Sequence, residues 1–319
     1  MSAQGAWLSQ IAPGAALTLS PPAVPADVAF EVVELPGKGK GVVSTRAIQA
    51  GELILAEAPA FTTGMRRTEP MIAAAVDKLS ASDRLIFHSL ALSDNKAALG
   101  PLLGRMETNG IEMASASGAS QQGLFLLGSR FNHSCTPNVA RTWDGGLGKE
   151  RFVASVDIDK GVELEIYYDG LYKRQHERQH ELHDKFGFWC KCRACVFTGT
   201  ELADSDRRRI RIDETRDDLP QLISQPARFV KLAKVALAAL EREGLYTGRA
   251  AFAYDCFQAS VAWSDLEAAK LWAARNLELQ KREAGVGSSE YKRIETLKAN
   301  PRAHGSWGVF GRKQAVERP

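Results

Sequence analysis

The chain predicts an α+β fold: a β-rich half built from short strands and glycine turns, a helical insertion inside it, and an α-helical tail. Three observations predict this. Strand-like apolar runs bounded by glycine turns occupy 30–57 and 151–168, helical spacing governs 64–122, and it returns in the last third of the chain. With 319 residues, 45% hydrophobic and 25% charged, there is material for one large or two ordinary domains with a sizeable core.

Residues 1–27 read as a loosely ordered lead-in, without the basic start and continuous apolar stretch of a secretory signal. FEVVEL, 30–35, alternates like a strand and breaks at PGKGKG. GVVSTRAIQAGELILAE follows, turning at Gln49-Ala50-Gly51. MIAAAVDKLSASDRLIFHSLAL typifies the helical insertion predicted over 64–122. Strand-like pieces resume at RFVASVDI (151–158) and VELEIYY (162–168), parted by the turn Asp159-Lys160-Gly161. These observations delimit a β-rich unit over 28–170.

A polar helix then leads into KFGFWCKCRACV, a segment spanning 171–198. Beyond the charged stretch ADSDRRRIRIDETRDD the chain reads as helices, giving a helical region over 199–300 and a frayed tail over 301–319. Ser264-Asp265-Leu266-Glu267 matches a capping box for a helix that closes on Gly285. Cys256, alone in AYDCFQ, reads as a core residue of this region.

Charge and hydropathy exclude some functions. A net charge of +3 without an evident basic patch gives no reason to expect direct nucleic-acid binding. The longest apolar runs, such as LAKVALAAL, fall far short of the ~20 residues that cross a bilayer, so no membrane span is predicted. A monomer is expected.

Two stretches compete as metal sites. HERQH (176–180) fits H-E-x-x-H, in which His176 and His180 would share a helix face and Glu177 would act as a base. Its neighbours Lys173, Arg174, Gln175, Arg178 and Gln179 are polar, which favours a solvated helix. Cys190, Cys192 and Cys195 make the stronger signal, because three thiolates within six residues nearly complete a tetrahedral Zn²⁺ site. Cys135 in SRFNHSCTPNVARTW is the natural fourth ligand, and an all-thiolate site stabilises a fold without activating water. Such clustering suits a reducing cytoplasmic or nuclear compartment.

PGKGKG is neither a Walker loop nor a dinucleotide fingerprint, yet its alternating glycines let a ligand approach the backbone closely. In SRFNHSCTPNVARTW, the polar group Asn132-His133-Ser134 after Phe131 needs internal partners or a ligand.

Gly39-x-Gly41, Asn132-His133-Ser134-Cys135-x-Pro137-Asn138, Gly161-x-Glu163-Leu164-x-Ile166-x-Tyr168 and Cys190-x-Cys192-x-x-Cys195 occur in the order seen in SET-domain proteins. Over about residues 30–197 the chain resembles that family, above all its SMYD-related branch and the fungal members, and the tail is similar to that branch's tetratricopeptide-like region.

The resemblance implies small sheets in a pseudoknot-type arrangement, S-adenosylmethionine (SAM) as cofactor, and methyl transfer to a lysine ε-amine. By motif position it implies that Lys38, Gly39, Lys40 and Gly41 approach the cofactor. Asn132 and His133 would bind it through main-chain and side-chain hydrogen bonds, Tyr168 would be the active-site phenol, and Phe188 would pack on the adenine or line the lysine channel. Cys135, Cys190, Cys192 and Cys195 would hold one structural post-SET zinc.

Val162 stands where many members carry an acid, and Tyr167 replaces a smaller polar residue, so both are expected to shape the acceptor channel. The absence of cysteine from 64–122 excludes an inserted MYND zinc module. The expected partner is a lysine-containing protein. The alternatives are a SET scaffold acting on a small molecule, a SAM-binding interaction module, and, more remotely, a zinc protease.

Overall fold

The computed structural model describes residues 28–113, 121–311 and 313–319, so the lead-in predicted at 1–27 lies outside the described residues. The β-rich unit consists of four small sheets. β1 (Phe30–Leu35) and β2 (Gly39–Ser44) form an antiparallel hairpin around Pro36-Gly37-Lys38. Gly37 and Gly39 flank that turn at φ +72° and +68°, where a side chain would be strained. β3 (Leu53–Glu57), β8 (Val139–Asp144) and β9 (Lys149–Ala154) form a second sheet in the order β3-β9-β8. β4 (Phe61–Thr63), β5 (Ile111–Met113) and β6 (Gln121–Leu124) form a third in the order β4-β6-β5. The fourth pairs β7 (Asn132–His133) in parallel with β10 (Glu165–Ile166).

The insertion is helical over a narrower range than its spacing predicts. α1 (Glu69–Val76), α2 (Ala81–His88) and α3 (Pro101–Asn109) occupy its centre, but 111–113 and 121–122 belong to strands. Ile111 and Met113 alternate inward around the exposed Glu112, a period-two signal too short to stand out beside three helices. The insertion has its own core of Ile72, Val76, Phe87, Leu90, Met106, Leu124 and Leu126.

The motif strands owe their pairing to few hydrogen bonds. β10 has two residues, so the Asn138 amide does much of the fastening: its Nδ2 donates to the Glu163 carbonyl (2.8 Å) and its Oδ1 accepts from the Glu165 N–H (2.8 Å). Phe131 sits beneath this crossing, stacked on Phe152 at 4.7 Å with Phe30 edge-on at 5.8 Å.

α4 (Gln175–Phe186) ends at Gly187 in the left-handed conformation, and the cysteine segment follows. The charged stretch proves to be part of a helix, α5 (Gly199–Asp218), whose inner face is Ser205, Arg209, Ile212 and Thr215. α6 (Pro226–Arg242), α7 (Arg249–Ala262), α8 (Leu266–Glu283) and α9 (Ser289–Ala299) follow, and Cys256 is buried among them as predicted. Asp265, not Ser264, caps α8 by accepting from the Ala268 N–H at 3.1 Å, while Ser264 adopts φ +57°.

The last segment is docked rather than frayed. Val316 is buried, Phe310 stacks on Trp263 at 4.6 Å, and the Trp272 indole N–H donates to the Glu317 carbonyl at 2.8 Å. The helical region joins the sheet where Arg151, nearly buried, donates to the carbonyls of Ala284 (2.7 Å) and Val286 (3.2 Å) just past α8. There its charge opposes the negative end of the helix.

Candidate functional site

The four cysteines named from sequence converge. Cys135 follows β7, Cys190, Cys192 and Cys195 follow α4, and their Sγ atoms all lie within 4.8 Å of one another. Zn–S bonds of about 2.3 Å place tetrahedral sulfurs about 3.8 Å apart, so this donor set fits one zinc ion. The backbone is arranged for thiolates as well: the Cys135 N–H points at Cys192 Sγ (3.4 Å) and the Cys192 N–H at Cys190 Sγ (3.5 Å).

α4 serves this knot through its polar residues. Gln179 makes a two-way clasp with Cys190, accepting its N–H and donating to its carbonyl, both at 2.7 Å. Gln175 donates to the Cys195 carbonyl (2.7 Å), and buried Arg178 reaches the carbonyls of Lys173 (2.6 Å) and Ala194 (3.3 Å). His176, His180 and His183 face outward, away from the thiolates, and His183 stacks on Trp189 at 4.4 Å. Glu177 accepts the Arg174 N–H at 2.8 Å as an N-terminal cap. HERQH is thus a surface helix that supports the cysteine knot.

Tyr168 lies where the knot meets the sheets. Its hydroxyl donates to the Phe131 carbonyl at 2.8 Å, and its backbone N–H donates to His133 Nδ1 at 2.9 Å. Burial raises its pKa, and the carboxylates of Glu163 and Glu165 raise it further, so the phenol keeps its proton. Phe188 stands edge-on to it at 6.4 Å, and Phe186, which the motifs do not pick out, is closer at 4.9 Å. The F-G-F spacing around Gly187 was the available signal: the turn sends two aromatics toward one place.

The glycine turn meets the same region through two acids that sequence reasoning assigned no role. Lys38 Nζ bridges Glu163 (2.6 Å) and Glu165 (2.9 Å), and Asn132 Nδ2 donates to the other Glu163 oxygen at 2.9 Å. A Cβ on Gly41 would come within 2.6 Å of Asn132 Nδ2 and 2.3 Å of Leu35 Cδ1, so this backbone position is close-packed against the site. Among the described residues nothing lies within 4 Å of a Cβ placed on Gly39; Lys40 stands opposite Glu34 in the hairpin register.

His133 is 5% exposed and both ring nitrogens have partners inside the protein, Nδ1 the Tyr168 backbone N–H and Nε2 the Cys135 Sγ at 3.3 Å. Tyr167 points away from Tyr168, as neighbours on an extended chain do, and packs on the helical core with Arg141 over its ring at 5.6 Å.

The comparisons with known proteins agree with this geometry. Residues 39–169 match the SET domain family. The histone-lysine N-methyltransferase set5 of Schizosaccharomyces pombe is 30% identical over 278 residues, which covers 86% of this chain and 85% of that protein. The N-lysine methyltransferase SMYD2-A of Danio rerio is 29% identical over 139 residues, 42% of this chain and 31% of its own length. Histone-lysine N-methyltransferase SET5 of Meyerozyma guilliermondii is 38% identical over 112 residues, 34% of this chain and 23% of that protein. The chain therefore spans most of one relative and a third or less of the other two. Sheets, cysteine knot, motif order and the near full-length match together place this chain in the SET-domain family, on the branch that includes these lysine methyltransferases.

Proposed function

We propose that this protein transfers a methyl group from SAM to the ε-amine of a lysine in a protein substrate. The observation that carries this is Tyr168, a neutral phenol held at both ends, next to a cradle formed by Gly41, Asn132, Lys38 and two carboxylates.

That cradle suits the cofactor's charges. Lys38 matches the cofactor's carboxylate, whereas Glu163 and Glu165 match its ammonium and sulfonium. The bound cofactor supplies the electrophilic methyl, and the protein supplies alignment rather than a strong nucleophile. Because the Tyr168 hydrogen is committed to the Phe131 carbonyl, its oxygen has lone pairs left to accept an N–H from an incoming amine. Its raised pKa keeps it a phenol, so it acts as a durable hydrogen-bonding group and no phenolate is present to serve as a base. The lysine reaches the site as an ammonium and releases its proton to water before the attack, since burial and the cofactor's positive charge would disfavour the charged form. Phe186 and Phe188 supply the apolar wall that excludes water.

Core histones are the first substrates to test, since the fungal relatives are named for them, and a nuclear site of action accompanies that choice. Among the described residues no helix is long and apolar enough to cross a membrane. Incubation with methyl-labelled SAM should label lysines in histones or a nuclear extract, and Tyr168→Phe should lower that rate on the order of 10²-fold with cofactor binding retained. SAM binding with no protein acceptor would overturn the protein-lysine assignment and point to a small molecule.

A further inference from the structure

His133 has two partners in the structure, one at each ring nitrogen. Nδ1 accepts the Tyr168 backbone N–H at 2.9 Å and therefore bears no hydrogen, which leaves the neutral ring's proton on Nε2. Nε2 faces Cys135 Sγ at 3.3 Å, so the N–H points at a sulfur that would be a thiolate when ligating metal. At 5% exposure the ring has little access to solvent partners, and Tyr168 and Phe188 flank it at 5.2 and 6.1 Å.

Tyr168 is held by the same short run of chain. The Phe131 carbonyl takes its hydroxyl, His133 takes its amide, and Cys135 is the metal ligand two residues on. Cys135 is anchored in turn by Arg209, whose Nη2 donates to its carbonyl at 3.0 Å.

We propose that His133 is a positioning residue that couples the thiolate cluster to Tyr168, rather than a side-chain ligand of the cofactor. Metal at the four cysteines then sets the place of Cys135 Sγ, and the imidazole passes that constraint to the backbone that carries the phenol. This rests on the methyltransferase assignment only for its effect on rate. Groups that orient metal ligands from outside typically change affinity or activity by about 10–100-fold when lost, which is the size of effect expected here.

Two half-variants separate the arms. In His133→Asn the amide oxygen can still accept the Tyr168 N–H but nothing reaches Cys135; zinc should pass to a competing chelator at least about 10-fold faster. In His133→Gln the amide N–H can reach Cys135 while the Nδ1 acceptor is lost; zinc should be held and kcat should fall about 10–100-fold. SAM affinity, measured by calorimetry on the zinc-loaded protein, should stay within about three-fold in both, less than the loss of one good hydrogen bond.

Nitrogen NMR of the zinc-loaded protein should show His133 protonated at Nε2 and bare at Nδ1. A proton on Nδ1, or SAM affinity falling about 10-fold or more with zinc retention unchanged, would overturn the proposal and return the side chain to cofactor binding. The tautomer and chelator readouts need no methyl transfer, so they stand apart from any failure of the assigned activity.

Discussion

At the scale of single residues, the two glycines of the Gly39-x-Gly41 motif do different things. Gly39 answers a conformational need, φ +68° with open space around it, whereas Gly41 answers a steric one, with Asn132 and Leu35 in the way of any Cβ. Gly39→Ala should therefore cost about 1 kcal/mol of stability from backbone strain and leave SAM affinity nearly unchanged. Gly41→Ala should cost about 1–3 kcal/mol and, because it displaces the Asn132 amide, weaken SAM binding; calorimetry with thermal melts of both variants checks the contrast. The motif was legible as a sequence pattern, but its division of labour was not, since φ and clearance are properties of the folded hairpin. Glu163 and Glu165 were likewise visible as letters, and only the return of β10 beside β7 brought them to Lys38.

At the scale of elements, buried carboxyls between sheet and helices set a pH response. Burial pushes Glu150 in β9 up to about 7, with Arg141 opposing, and pushes Glu283 at the end of α8 up to about 7, with the N–H groups of Ala250 and Gly248 opposing. Their ordinary value is 4.5, so the folded state holds more protons than the unfolded state between that value and about 7. The stability they contribute is complete below 4.5 and is lost as pH rises through about 7. Asp169 and Asp265, held low against burial by partners that include Lys185 and by the Val316 N–H with Arg318 respectively, act in the opposite sense, and their contribution disappears only below about 4. The melting temperature should consequently fall between pH about 4.5 and about 7 and level off above, and the double variant Glu150→Gln, Glu283→Gln should flatten that slope; calorimetric melts across the range decide it. Among the elements, the helices with three- and four-residue spacing such as α6 were legible, while β5, β6 and β10 were misjudged in extent. Two- to four-residue strands carry little periodicity, and their pairing partners lie far away in sequence.

At the scale of the whole molecule, Arg209 ties three regions together. Fully buried in α5, it donates to the carbonyls of Leu171 (2.5 Å) and Cys135 (3.0 Å) and pairs with buried Glu243 at 3.0 Å. Arg209→Met should cost about 1–3 kcal/mol in denaturant unfolding because it leaves the buried carbonyls of Leu171 and Cys135 without their donor, while Glu243 keeps Arg208 (2.6 Å) and the Ser205 hydroxyl (2.7 Å). Metal analysis should find about one zinc per chain that survives His176→Ala and is lost in Cys192→Ser, since an all-thiolate tetrahedron has no place for a surface histidine. By itself the sequence determined the family, the class of architecture and which four cysteines gather, because these reside in residue types at short spacings in a fixed order. Only the tertiary structure decided that the last segment docks, that His133 turns to sulfur and to the Tyr168 backbone, and that Lys38 faces two acids. Each of those depends on which groups meet across long stretches of chain, and a buried polar group takes whichever partner the fold leaves within reach.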